Sequence, residues 1–116
     1  VSSKADKLRF EKLRELGCIA CRIALKPSPC GHTEIHHLVD KGNRKSSGGH
    51  AATIPLGRWH HQGIPFIDRT AGYMRANFGP SMRLQKREFT QTYGTQRELL
   101  ARVNVAIGLP TRGLGL

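Results

Sequence analysis

Leu8, Leu13 and Leu16 recur at helical spacing, with Phe10 offset from them, in a segment otherwise crowded with Lys, Arg and Glu. That pattern predicts an amphipathic helix over 4–16, capped by Ser2 or Ser3 and stopped by Gly17. The period is then lost over 18–32, where Pro27, Pro29 and Gly31 mark an irregular loop. Residues 33–38 read as a short strand, 41–49 as a polar glycine-rich loop, and 52–56 as the partner strand, closed by Pro55. A short helix over 57–62 follows. From there the signal turns helical. One helix runs from an Asp68 cap to about Phe78, broken by Gly79-Pro80, and a second from a Ser81 cap to about Thr92, broken by Gly94. Thr95 opens a third, with Leu99, Leu100, Val103 and Ile107 on its apolar side. The tail GLPTRGLGL is expected to be loose.

Two short strands among several helices make this an α+β chain. With no internal repeat and no long linker, residues 1–116 form a single expected domain, its core at 18–63 and a helical extension at 68–107. The first residue is valine, so the chain is expected to be a fragment or a trimmed product lacking a natural N-terminal region.

Composition sharpens the picture. Hydrophobic residues are 38% and aromatics 6% of 116 residues, beside 13 glycines and 6 prolines. So thin a core calls for a staple, and a bound metal is one kind. The 19 Lys and Arg outnumber the 8 Asp and Glu, leaving a net charge of +11 that favours a polyanionic partner, nucleic acid first. No apolar run approaches a membrane span and no signal peptide is visible, so a cytoplasmic location is expected.

Three cysteines do not close a disulfide set. Cys18, Cys21 and Cys30 suit metal thiolates in a reducing compartment better, because a two-residue gap lets one tight turn supply two ligands. Structural zinc needs a fourth donor, and no further cysteine exists. His32 is nearest in sequence, and His60 is the other candidate. The plainer alternative is three small buried thiols.

The histidines are the most informative feature. His36-His37 and His60-His61 form two adjacent pairs, with His50 between them. Adjacent residues point to opposite faces of a strand and diverge by roughly 100° on a helix, so neither pair can put both rings on one metal. A division of labour follows. One histidine of each pair faces a catalytic cation, the second strand histidine activates water, and the second helix histidine completes the zinc site. Solvated or locally bonded rings are the ordinary alternative for any one of them taken alone.

EIHHL, a loop, and then TIPLGRWHH resemble the HNH nuclease motif, the ββα-metal arrangement of two strands and a helix. CIACR, EIHHL, TIPLGRWHHQG, GPS and YGTQRELL together resemble more closely the phage recombination-enhancement nucleases, HNH proteins that cut DNA in dependence on RecA. That resemblance implies a small ββα-metal core with structural zinc, flanked by an N-terminal helix and C-terminal helices. It implies His37 as general base, His36 and His61 as ligands of a catalytic Mg²⁺ or Mn²⁺, and His60 beside Cys18, Cys21 and Cys30 on zinc. It also implies DNA and a RecA filament as partners, inside a bacterial host cell, for a phage-encoded protein.

Three departures from the family pattern stand out. Gly57 replaces a frequent cysteine, for which Cys30 can substitute. Ala52 falls near the motif's middle asparagine, whose orienting role His50 is placed to share. No histidine follows His61 as a third ligand, leaving that position to water or to a carboxylate such as Asp68. These departures keep a second reading open, a zinc-stabilised DNA-binding module with an inactive HNH core. Lys41, Arg44, Lys45, Lys86 and Arg87 are expected to hold backbone phosphates, which predicts weak sequence preference and marked salt dependence; ordinary solvated charge is the alternative.

Overall fold

Helix α1 (Lys4–Leu16) begins where Ser3 Oγ accepts from Asp6 N–H and the Asp6 carboxylate accepts Ser3 N–H in return, a closed capping box. The computed structural model describes residues 3–26 and 29–109. Ser2 as an alternative cap and the tail from residue 110 onward lie outside them. Gly17, at φ 79°, ends α1. Leu13 is wholly buried, but Leu8 faces solvent, and Arg9 turns inward in its place.

The stretch expected to be irregular contains a short helix, α2 (Ile19–Ile23), which presents Ile19, Ala20 and Cys21 to the core. Strand β1 (Thr33–His37) then pairs antiparallel with β2 (Thr53–Gly57), Glu34 opposite Leu56 and His36 opposite Ile54. Each strand ends or begins one residue away from the expected bound. The chain between them is not all loop. Asn43 caps a four-residue helix, α3 (Arg44–Ser47), by accepting from Ser46 N–H, and a 3-10 turn spans Gly49–Ala51. Pro55 does not close β2 but sits inside it.

A lone two-stranded ribbon is marginal in water. Here every residue of β2 is buried, because helices cover the ribbon. Cross-strand partners share a face, so Glu34, His36, Ile54 and Leu56 lie on one side and Ile35, His37, Thr53 and Pro55 on the other. Helix α1 packs on both strands. Its Arg9 donates through Nε to Thr53 Oγ1 (2.8 Å), through Nη2 to Thr53 O (2.6 Å) and through Nη1 to Asn104 Oδ1 (2.9 Å). One buried guanidinium thereby joins the first helix, the second strand and the last helix.

Helix α4 (Arg58–Gln62) leaves β2 directly, and Arg58 N–H donates back to His32 O at 2.9 Å. Beyond it the helices start later than the sequence suggests. Asp68 lies in an exposed turn after Phe66, and Thr70 caps α5 (Ala71–Phe78) by accepting from Tyr73 N–H. Ser81 caps only a single turn. Gln85 folds its side chain back onto Ser81 N–H, its backbone leaves the helical region, and α6 (Lys86–Tyr93) begins after it. Thr95 and Glu98 form a second capping box for α7 (Gln96–Ala106), which buries Leu99, Leu100 and Val103, with Ile107 packed at its end. The architecture is thus α+β, a ββα unit at the centre with helices before and after it.

Candidate active site

Helix α4 places two donor groups back to back. His60 is fully buried and points its Nδ1 at three sulfurs, 3.0 Å from Cys30, 3.4 Å from Cys18 and 3.6 Å from Cys21. Cys30 Sγ lies 3.8 Å from Cys18 Sγ. A zinc tetrahedron with Zn–S near 2.3 Å and Zn–N near 2.0 Å has edges of about 3.5–3.8 Å, so the donors are spaced as that ion requires. The ring is also oriented for it. His60 Nε2 donates to Phe78 O at 2.8 Å, which leaves Nδ1 as the bare nitrogen, and Tyr93 OH donates to the same carbonyl. Thiol hydrogen bonds from Cys21 and Cys30 hold Cys18 far below the usual thiol range, and the bond to Cys18 pushes Cys30 up. Burial works against charge on His60, but its bonds to Cys18 and Cys21 outweigh burial and lift it to about 9, so a bound ion would displace a proton from Nδ1.

These four residues form a buried Cys3His group compatible with structural zinc. His32 is exposed and takes no part in it. Gly57 has a reason to be glycine, since a Cβ there would run into Cys30 Sγ. The sulfur of Cys30 thus occupies the space beside residue 57, where many relatives were expected to carry their own cysteine.

The second group lies on the Glu34 face of the ribbon. His36 Nδ1 and His61 Nε2 are 3.1 Å apart. Each outer nitrogen is tied to an oxygen acceptor. His36 Nε2 donates to Gln96 Oε1 (3.0 Å), and His61 Nδ1 donates to Glu34 Oε1 (2.8 Å). Burial pushes Glu34 up, but hydrogen bonds from Gln62 and His61 outweigh it and hold the carboxyl below its ordinary value. Burial, against the bond to Gln96, lowers His36, so its ring is neutral near pH 7. Neither Glu34 nor Gln96 stands as a functional residue in any of the motifs quoted for the histidines. Glu34 carried a usable signal, because a residue two before His36 on a strand shares its face. Gln96 carried none, since it arrives from sixty residues away.

On the opposite face His37 Nε2 lies 2.8 Å from His50 Nδ1, and Phe10 packs edge-on against both rings. His50 is itself held by Thr53 Oγ1, which donates to its carbonyl. His37 Nδ1 is the one buried side-chain polar atom, among the described residues, that lacks a hydrogen-bond partner. Burial first, then the charge of Arg44 and of His50, lowers His37.

Arg44 is therefore close enough to act on both His36 and His37, and it lies exposed with Lys41 and Lys45 between the strands. Lys86 and Arg87 are exposed at the start of α6, and among the described residues no hydrogen bond or ion pair joins their side chains to the histidines. Asp68 is an exposed neighbour of Arg69 and contributes to neither donor group.

A family model described as recombination enhancement, RecA-dependent nuclease matches residues 3–107. The chain belongs to that family. Curated proteins compared with the chain gave no match. The family's description is of a nuclease acting in RecA-dependent recombination, and the matched span carries both donor groups and all seven helices of the described residues. No helix among the described residues is long and apolar enough to cross a membrane.

Proposed function

We propose that this chain is a metal-dependent HNH endonuclease that hydrolyses DNA phosphodiesters where the DNA is engaged by a RecA filament, in phage-associated recombination inside a bacterial cell. One observation carries the catalytic half of this reading. With Gln96 and Glu34 fixing protons on the outer nitrogens, His36 Nδ1 and His61 Nε2 turn two bare lone pairs toward each other at 3.1 Å. Lone pairs at that distance repel unless a cation or a proton lies between them. Two imidazole nitrogens would hold the ion, with Glu34 bound to the outer side of His61 as a supporting partner, and water and the substrate phosphate would supply the oxygen ligands that Mg²⁺ or Mn²⁺ prefers. A divalent ion held there supplies Lewis-acid charge to the scissile phosphate and the departing oxygen.

The protein's own groups do the rest. His37 takes the proton of the attacking water at Nε2. In the tautomer that leaves this nitrogen bare, His50 Nδ1–H donates to it, and the water enters as the replacement donor. His37 Nδ1–H then has no acceptor, a cost of about 1–3 kcal/mol that a purely structural histidine would not carry. Because burial and Arg44 keep His37 neutral, it is a competent base near pH 7. Arg44, with Lys41 and Lys45, holds the phosphates flanking the cleaved bond, while the Cys3His group holds zinc and fixes α4. The RecA dependence rests on the family's description.

The test is cleavage of plasmid and single-stranded DNA with Mg²⁺ or Mn²⁺, with and without RecA filaments. Wild-type protein is expected to cut in the presence of both metal and filament. His37→Ala should cut about 10²–10⁴-fold more slowly with zinc content and melting temperature unchanged. DNA binding without any metal-dependent cutting would instead establish a zinc-stabilised binding module, and cutting at one defined sequence without RecA would remove the RecA half of the reading.

A further inference from the structure

Helix α7 borders two places at once. Gln96 at its start meets His36, and its outer face forms with α2 a groove of about 900 Å³. Ile19, Ile23 and Val105 line this groove with apolar side chains, beside the guanidinium groups of Arg22, Arg97 and Arg102. Val105 is 61% exposed, so the apolar lining of the groove is open to a partner. Arg97 is paired with Asp40, but among the described residues Arg22 and Arg102 are in no ion pair. Nothing in the hydrolytic chemistry uses any of these side chains.

We propose that this groove docks an acidic, apolar peptide segment of the RecA filament, an inference that rests on the RecA-dependent reading above. Apolar side chains lining the groove, together with Arg22 and Arg102 in no ion pair among the described residues, match a partner strip of aliphatic residues flanked by Asp or Glu. A DNA backbone is the poorer fit, since phosphates would face Ile19, Ile23 and Val105. A second copy of this chain is poorer still, because a chain of net charge +11 would present like charge to the rim. An occupied groove also braces α7 from outside, on the helix whose Gln96 orients His36. Recruitment and ordering of the site would then share one contact.

The experiment measures co-sedimentation of the full chain with RecA filaments assembled on single-stranded DNA, beside its affinity for the same DNA without RecA. The variants are Val105→Asn and Arg102→Glu, both at exposed positions, each first checked for zinc content and melting temperature. Both are expected to weaken filament binding by about tenfold or more, the scale of a central interface residue. RecA-dependent cleavage should fall in step, with RecA-free DNA binding changed far less by Val105→Asn. Unchanged filament binding in both variants overturns the groove while leaving the nuclease reading untouched. Equal losses with and without RecA make the groove a DNA surface and overturn the proposal. Wild-type protein that fails to bind filaments sinks the RecA reading and this inference together, whereas His37→Ala is expected to bind filaments normally even where it cannot cut.

Discussion

At the scale of single residues, the site depends on atoms that orient other atoms. Glu34 and Gln96 hold the outer nitrogens of His61 and His36 and so set which way the facing nitrogens point. Glu34→Gln and Gln96→Leu are each expected to weaken Mn²⁺ binding by about 10–100-fold, read by calorimetric titration, with zinc retained at one per chain. A different residue sets a pH dependence. Arg97 donates to both carboxylate oxygens of Asp40, at 2.7 and 3.0 Å, and although burial pushes Asp40 up, these bonds hold it below its ordinary 3.8. A carboxyl depressed in the folded state stabilises the fold fully above its unfolded value and ceases to do so as pH falls through the folded one. Asp40→Asn should therefore lower the melting temperature near pH 6, by the equivalent of about 0.2–1 kcal/mol. The gap to wild type should close below pH 3.8. A gap that persisted or widened in acid would show that the pair does not act through charge.

At the scale of elements, the sequence was most legible where chemistry repeats with the backbone. Ser3 and Thr95 announce α1 and α7 because a cap is a local bargain between neighbours, and the EIHHL strand stands between two loops rich in turn residues. Legibility failed where a distant group decides. Arg9 reads as a surface charge beside Leu8, yet it is Arg9 that is buried, since Thr53 and Asn104 offer it three acceptors that no local window contains. Asp68 and Ser81 were equally reasonable caps, displaced because Thr70 stands in better register and Gln85 folds back on Ser81. Arg9→Met keeps the buried stem and removes the three hydrogen bonds. It should cost about 2–3 kcal/mol, visible as a lower denaturation midpoint with unchanged m-value. A loss much smaller than this would mean that packing of the stem, and not its head group, joins α1 to α7.

For the whole molecule, the question is what holds together so small a core. The ribbon is two strands wide, α2 and α4 are five residues each, and the four zinc-compatible donors come from α2 and its cap, the following loop and α4. No one of these pieces would be stable alone. Removal of zinc by a strong chelator is expected to abolish cooperative thermal unfolding while the helical signal of α1 and α7 falls only in part. Readdition of zinc should restore the transition. A sharp, unshifted melt in the metal-free protein would demote the thiol group to ordinary packing. The thiols were readable from CxxC spacing, and His60 over His32 from the divergence of adjacent helix residues and the family resemblance, whereas the way α4 folds back over the loop was not.

His60 and His61 are consecutive, so the two ion-compatible centres hang from adjacent positions of a single helical turn. On the proposed mechanism, damage at either centre is felt at the other. An oxidant or alkylating agent that attacks Cys18, Cys21 or Cys30 would then silence hydrolysis, although sulfur takes no part in breaking the phosphodiester. A cell under oxidative stress would thus disarm this activity through its scaffold.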